Sequence, residues 1–154
     1  MITDTIIASD EVQISAPAEL VWQILVDFDN YGKWNSFCPR LINTALKPGA
    51  AVDMMIDLGN GLQRQVEYIT LVEPNEAIAW GMENKAGDPI HAVRTQKLKA
   101  LDDESCSYVS IDEFTGDSVA VMIELMGTAV ETGFNRCAYD LKHYAEALVN
   151  DCET

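Results

Sequence analysis

The sequence predicts an α+β fold: a curved antiparallel sheet of about seven strands wrapped around one long C-terminal helix, with two short helices after the first strand. Three observations carry this. Six strand-like segments follow one another between Leu41 and Phe114, each closed by a short turn rich in Gly, Pro, Asn or Asp, which is the signature of an antiparallel meander. The period then changes: Val130, Phe134, Cys137, Leu141, Tyr144 and Leu148 step by four, three, four, three and four, one apolar stripe on a helix. Between the first strand and the meander lies APAELVWQILVDFDNYGKWNSFCP, residues 16–39, with helical spacing and a tryptophan in each half, Trp22 and Trp34.

Taken in order, Thr5–Ser15 reads as a strand with Ile7, Val12 and Ile14 as its apolar members. Ser15 stands where an N-cap is expected, Pro17 suits a first helical turn that needs no N–H, and Glu19 favours the positive helix end. Leu20, Val21, Ile24 and Leu25 recur at helical spacing, Asp27–Asn30 breaks that helix, and Tyr31–Trp34 forms a second short turn ended by Pro39. The meander strands are Leu41–Leu46, Ala51–Leu58, Leu62–Val72, Ala77–Glu83, Ile90–Leu101 and Cys106–Phe114. Gly59-Asn60-Gly61 is a strong hairpin turn between the second and third of them. Residues 117–126 read either as a loop or as an extra stretch of helix with an apolar face.

A long twisted sheet can curl around a helix, but one helix does not easily fill the curl. A cavity between sheet and helix is therefore expected. The 154 residues are read as one domain, 1–154, large enough to bury a core without staples.

The formal charge of −15, with only 10 Lys and Arg, excludes the basic stripe that nucleic acid binding requires. An anionic membrane surface would repel the protein, and no apolar run approaches the roughly 20 residues of a membrane span. MITDTIIASDE lacks the basic and apolar regions of a signal peptide, so a cytoplasmic location is expected. Cys38, Cys106, Cys137 and Cys152 form no CxxC pair and are read as reduced and structural or incidental.

The segments Ile14–Pro17 entering Val21-Trp22, Asp27–Tyr31, Lys33–Phe37, Ala79–Gly81, His91–Gln96, Asp112-x-Phe114-x-Gly116 and the long last helix resemble the START/Bet v 1-like (SRPBCC) helix-grip superfamily, in its polyketide cyclase/dehydrase-like branch. The resemblance covers nearly the whole chain. It implies the helix-grip fold and a pocket, and it leaves the reaction open, since such proteins include aromatases and cyclases, lipid and hormone carriers and co-chaperones. No catalytic residue of the family is carried over.

Candidate site residues follow from strand alternation. With Lys97 and Lys99 outside, Ile90, Ala92, Arg94, Gln96 and Leu98 point inward. An inward Arg94 must be paired or meet an anionic ligand, for which it could hold a carboxylate or an enolate oxygen. The alternatives are an internal ion pair with Asp112 or Glu113, or exposure if the strand is one residue out of phase. Trp80 and Met82, joined by Met54, Met122 and Met126, form a ligand wall or ordinary core. Trp34 and Phe37 stand beside the expected entrance, as gate or as core cap, and Phe134 and Gln96 complete the ligand-binding set. Gly133 leaves room for a ligand or for close packing on the sheet.

Two phases stay open. If Tyr108, Ser110 and Asp112 face in, Tyr108 and Asp112 join Arg94 as acid/base candidates; if Val109 and Ile111 face in, Glu113 does so as well. Arg64 and Tyr68 pose the same question on their strand. His91 and His143 are isolated and there is no HExxH, so no metal site is expected. Asp27–Gly32 departs from a calcium loop at its fifth position, Tyr31, and its twelfth, Cys38. No Walker A, GxGxxG or GxSxG sequence occurs, and no cofactor is expected.

The expected function is binding of a small, largely hydrophobic molecule in the central cavity. The alternatives are a cofactor-independent cyclase, aromatase or dehydratase, and a co-chaperone-like protein-binding module. A homodimer stays open.

Overall fold

A computed structural model describes residues 1–153; the one-domain reading extends to Thr154, which lies outside them. Eight strands form one sheet: β1 Ile6–Ala8, β2 Val12–Ile14, β3 Arg40–Ile42, β4 Ala51–Asp57, β5 Leu62–Glu73, β6 Ala77–Gly81, β7 His91–Asp102 and β8 Ser105–Thr115. The helices are α1, Ala18–Val26, a 3-10 helix Phe28–Lys33, and α2, Val119–Glu153. The spatial order is β1-β8-β7-β6-β5-β4-β3, antiparallel throughout, and β2 also pairs with β8. Helix α2 crosses the concave face and packs on β1, β2, β8 and α1. This is the predicted sheet gripping a helix.

The departures have local causes. The expected first strand is two strands, because the chain kinks at Ser9–Glu11 to dock on α2. Asp10 N–H donates to Asn135 Oδ1 at 2.7 Å, and the Tyr139 hydroxyl donates to Asp10 Oδ2 at 3.0 Å. Ser15 is not the cap of α1: Pro17 holds the N-cap position without a side-chain bond, and Ser15 N–H donates instead to Glu146 on α2. The strand expected to run to Leu46 ends at Ile42, where the Asn43 amide takes the Ala51 carbonyl at 2.8 Å in place of the ladder. β6 ends at Gly81, because the Asn84 side chain engages both backbone groups of Ala92. A Cβ at Gly81 would sit 2.6 Å from the Ala92 carbonyl oxygen, so this strand end needs glycine. Residues 119–126 are helical, so α2 reaches beyond the stripe that begins at Val130.

The core runs along the helix–sheet interface. Val21, Ile24 and Leu25 of α1 and Phe134, Cys137 and Leu141 of α2 are buried against Ile14, Ile78, Cys106 and Tyr108 of the sheet. Tyr31 of the 3-10 helix donates its hydroxyl to the Leu25 carbonyl and packs edge-on to Phe28 and Trp34. At the other end, Arg136 donates to the Asp57 carbonyl at 2.5 Å and ties α2 to the end of β4.

Candidate functional site

Between the concave face and the N-terminal half of α2 lies a cavity of about 260 Å³. Its helix wall is apolar: Met122, Met126, Val130 and Phe134. Opposite stand Met54 and Ile56 of β4, Leu58, Trp80 of β6, and Phe37 from the segment before β3. The polar part comes from three strands: Gln63, Gln65 and Glu67 of β5, Arg94 of β7 and Asp112 of β8. Met126 is 38% exposed, and with Met122, Leu58 and Gln63 it marks the open side. A volume near the lower end of the usual range suits a small ligand.

Arg94 organises the floor. It pairs with Trp80 on one side and Asp112 on the other in the sheet register, so all three project from the concave face. It is 6% exposed. Its Nε donates to Ser110 Oγ at 2.7 Å, and one terminal nitrogen lies 3.9 Å from Cys137 Sγ. The guanidinium carbon lies 4.4 Å from the Phe134 ring centre, 5.4 Å from Phe37 and 6.0 Å from Trp80, within cation–π range of all three. Among the described residues no carboxylate reaches ion-pair distance of it. Neither alternative set out for it, an internal ion pair or exposure, is realised.

The two carboxyls share the cavity's low polarity. Burial pushes Asp112 up to about 7; the Glu67 and Glu113 charges add to the rise and Arg94 opposes it. Burial likewise pushes Glu67 up to about 7 against the pull of Arg94 and the neighbouring Gln65. Desolvation therefore outweighs attraction to the arginine at both positions. Asp112 Oδ1 is buried with no hydrogen-bond partner.

Among the sequence candidates, Phe37, Met54, Trp80, Arg94, Met122, Met126, Phe134 and Asp112 line this cavity. Four do not. Met82 lies past the end of β6 and is 37% exposed. Trp34 turns to the outside, stacked on Tyr144 of α2 with ring centres 6.4 Å apart, so it is no gate to this cavity. Gln96 and Tyr108 are fully enclosed one step along the strands, where the Tyr108 hydroxyl donates to Gln96 Oε1 at 2.6 Å. Burial raises the Tyr108 phenol well above its ordinary value, which leaves it a neutral packing group. Gly133 serves close packing: a Cβ there would stand 2.5 Å from Phe37 Cδ1.

Both open phases resolve the same way. Tyr108, Ser110 and Asp112 face in, and Val109 and Ile111 lie on the convex face opposite Lys97 and Thr95. On β5, Arg64 faces out and pairs with Asp53 at 2.8 Å, which leaves Gln63, Gln65 and Glu67 on the inner face. Gln63 and Gln65 were missed by the sequence reading, and so was Glu67, the charged one of the three. Its shared parity with Gln63, Gln65 and the buried Ile69 was the available signal. No group of three His, Cys, Asp or Glu able to hold a metal occurs among the described residues. His143 is exposed on α2, and His91 bonds the Lys85 carbonyl at 2.7 Å.

A curved antiparallel sheet gripping a long helix over a lined cavity defines a helix-grip domain of the SRPBCC type. Within that class the chain belongs to the family described as polyketide cyclase / dehydrase and lipid transport, whose model matches residues 5–146. No curated protein matches the sequence. Among solved structures it is similar to the Zhui aromatase/cyclase from Streptomyces sp. R1128, with TM-score 0.72, 20% identity and 94% of each chain covered. It is also similar to the di-domain ARO/CYC BexL from the BE-7585A biosynthetic pathway, with TM-score 0.70, 15% identity and coverage of 94% of this chain and 51% of that one. A START superfamily protein from Mycobacterium smegmatis matches with TM-score 0.61, 14% identity and coverage of 89% and 99%. At these identities the likeness is one of fold. Among the described residues no helix is long and apolar enough to cross a membrane.

Proposed function

We propose that the cavity binds a small, largely apolar molecule whose carbonyl or similar acceptor oxygen meets Arg94. One observation carries this: a buried guanidinium without a carboxylate partner among the described residues faces a cavity of about 260 Å³ with apolar walls. Removing a charge from water costs several kcal/mol unless its hydrogen bonds are remade. Ser110 and Cys137 satisfy only part of the fork, and an acceptor on the ligand would take the rest. The apolar walls supply affinity, and Arg94 supplies orientation. The test is native mass spectrometry of protein purified from its own source. A co-purifying small molecule released on denaturation is the expected result. Empty protein, together with no binding of small aromatic ketones in solution, would remove the reading.

A second reading is favoured by the two carboxyls near 7: a cofactor-independent enzyme of the cyclase, aromatase or dehydratase type. At neutral pH one carboxyl is ionised in a sizeable fraction of molecules while the other holds a proton. The first could take a proton from the carbon beside a ligand carbonyl, with Arg94 holding the developing enolate oxygen. The second could give a proton to a departing hydroxyl, which leaves as water. A bell-shaped pH–rate profile for dehydration of a β-hydroxy ketone, lost in Glu67→Gln, would support this; unchanged turnover in Arg94→Ala would remove Arg94 from it.

A further inference from the structure

The space around Arg94 is short of donors on its helix side. The helix wall offers Met122, Met126, Val130 and Phe134, none of which can donate. On the sheet side the donors are those of Arg94, the Trp80 indole N–H and the Gln63 and Gln65 amides. Directly across the β7–β8 ladder from Arg94 stands Asp112, whose Oδ1 is buried and bonds nothing. Three donor groups, from β7, β8 and the link between β1 and β2, are committed elsewhere. Arg94 Nε is held by Ser110, the Tyr108 hydroxyl by Gln96, and the Ser9 hydroxyl by the Asp10 carbonyl at 2.8 Å. A buried oxygen left without a partner costs about 1–3 kcal/mol, and such groups are rare enough in native proteins to need an explanation.

The charges lining the cavity are Arg94, Glu67 and Asp112. Glu67 lies on the inner face of β5, and Asp112 lies beside Ile7 of β1 at the other side of the arginine row. Glu113, the remaining carboxylate that acts on Asp112, projects from the opposite face of β8. Two acids thus confront one base, and the space becomes net negative once both acids ionise. A ligand anion would meet that field, whereas a neutral hydroxyl would not.

We infer that Asp112 determines specificity: the occupant is a neutral apolar molecule that presents a hydroxyl to the Asp112 carboxyl beside its contact with Arg94, and anionic analogues are disfavoured. This rests on the reading of the cavity as a ligand site. It adds a donor on the ligand to the acceptor already assigned to Arg94. A hydroxyl fits either protonation state of the carboxyl, since it can donate to the charged form and accept from the neutral one.

Equilibrium dialysis at pH 8 with 2-naphthol, naphthalene and 2-naphthoate tests it. The wild type should bind 2-naphthol roughly tenfold more tightly than naphthalene, the scale of one charge-assisted hydrogen bond, and bind 2-naphthoate more weakly than 2-naphthol. In Asp112→Leu the tenfold preference should vanish while naphthalene still binds. If that variant fails to fold, Asp112→Asn serves: it removes a negative charge at unchanged size, so 2-naphthoate should bind more tightly than to the wild type. Equal affinity of the wild type for 2-naphthol and naphthalene overturns the inference. So does a preference that survives Asp112→Leu, or naphthoate affinity unmoved by Asp112→Asn. Tightest binding of 2-naphthoate overturns it and leaves the Arg94 reading standing. Binding of none of the three removes the cavity reading, and this inference with it.

Discussion

Arg94 and Asp112 are direct partners across the β7–β8 ladder, yet the Arg94 Nε donates to Ser110 Oγ at 2.7 Å and makes no ion pair with the carboxylate. In an ordinary core, neighbours of opposite charge would close into a bidentate pair. Three aromatic rings cradle the guanidinium instead, from Phe37, Trp80 and Phe134. The result is a guanidinium with N–H groups to spare and a carboxyl with an unpartnered oxygen on two residues that line the same cavity, which makes this row the centre of the site.

If the row is kept for binding, it should not be optimal for folding. Replacing Arg94 with Met fills similar space without a charge to desolvate. Such replacements of buried ions are often neutral or stabilising by about 1–4 kcal/mol. Urea unfolding of Arg94→Met should therefore give a midpoint equal to or above the wild type, while affinity for an aromatic ketone falls. A variant destabilised by more than about 2 kcal/mol would mean that Arg94 is chiefly a structural residue.

The two carboxyls should make folding depend on pH with a definite sign. Both are pushed from the ordinary carboxylate range up to about 7 in the folded protein. The folded state therefore holds these protons more tightly than the unfolded one. Their contribution is intact below the unfolded values and is lost as pH rises through the folded values. Stability from this pair should fall between about pH 4 and pH 7, by a few kcal/mol in all. The double variant Glu67→Gln, Asp112→Asn should be more stable than the wild type at pH 8, and that advantage should shrink at pH 5. Denaturant midpoints of both proteins at the two pH values check it, and the comparison cancels the opposite pH trends of groups held low, such as Asp53 and Asp102. An advantage of the same size at both pH values would contradict the burial of the pair.

The long elements were legible because periodicity reports burial against a filled core. The stripe from Val130 to Leu148 and the alternation of Ala92, Arg94, Gln96 and Leu98 both describe faces that are now seen buried or half-buried. The same rule misleads beside a cavity. On β5 the apolar Leu62 and Val66 are exposed and Gln63, Gln65 and Glu67 face inward; on β8 Val109 and Ile111 lie outside and Asp112 within. A strand that supplies the polar part of a cavity inverts its pattern, so the phases left open and the missed Glu67 fall on the strands that carry the site. The strand ends that shifted were set by side chains reaching into the ladder, Asn43 and Asn84, which alternation does not register. Trp34 was misplaced because aromatic content alone does not say which side of a short 3-10 helix faces the cavity.

Entry should run past the two methionines on α2. Met122 and Met126 line the open side, and Met126 is 38% exposed. Methionine there is flexible and yields to a passing molecule. Met126→Trp places a rigid bulk at the opening without touching Arg94 or the carboxyls. Association of an aromatic probe should slow several-fold with little change in the thermal midpoint, as read by stopped-flow mixing and a melting curve. Unchanged association would place the entrance elsewhere.

Gly133 and Phe37 make the sharpest test of how the cavity wall is packed. The Phe37 ring lies over Gly133, and an added Cβ would meet Cδ1 at 2.5 Å and Cε1 at 2.6 Å. Gly133→Ala gains about 1 kcal/mol of helix propensity and meets overpacking of about 1–3 kcal/mol. The ring also packs edge-on to Phe134 and beneath Arg94, so it has little room to retreat except into the cavity. The single variant should therefore lose stability despite the better helix former, and it should lose probe affinity as the ring narrows the site. Phe37→Leu in the same background removes the clashing ring edge and should restore part of the stability. The double-mutant cycle should then show a coupling of at least about 1 kcal/mol. Additive effects, or a Gly133→Ala variant more stable than the wild type, would mean that Phe37 has another place to go and that glycine at this position is not what holds the cavity open.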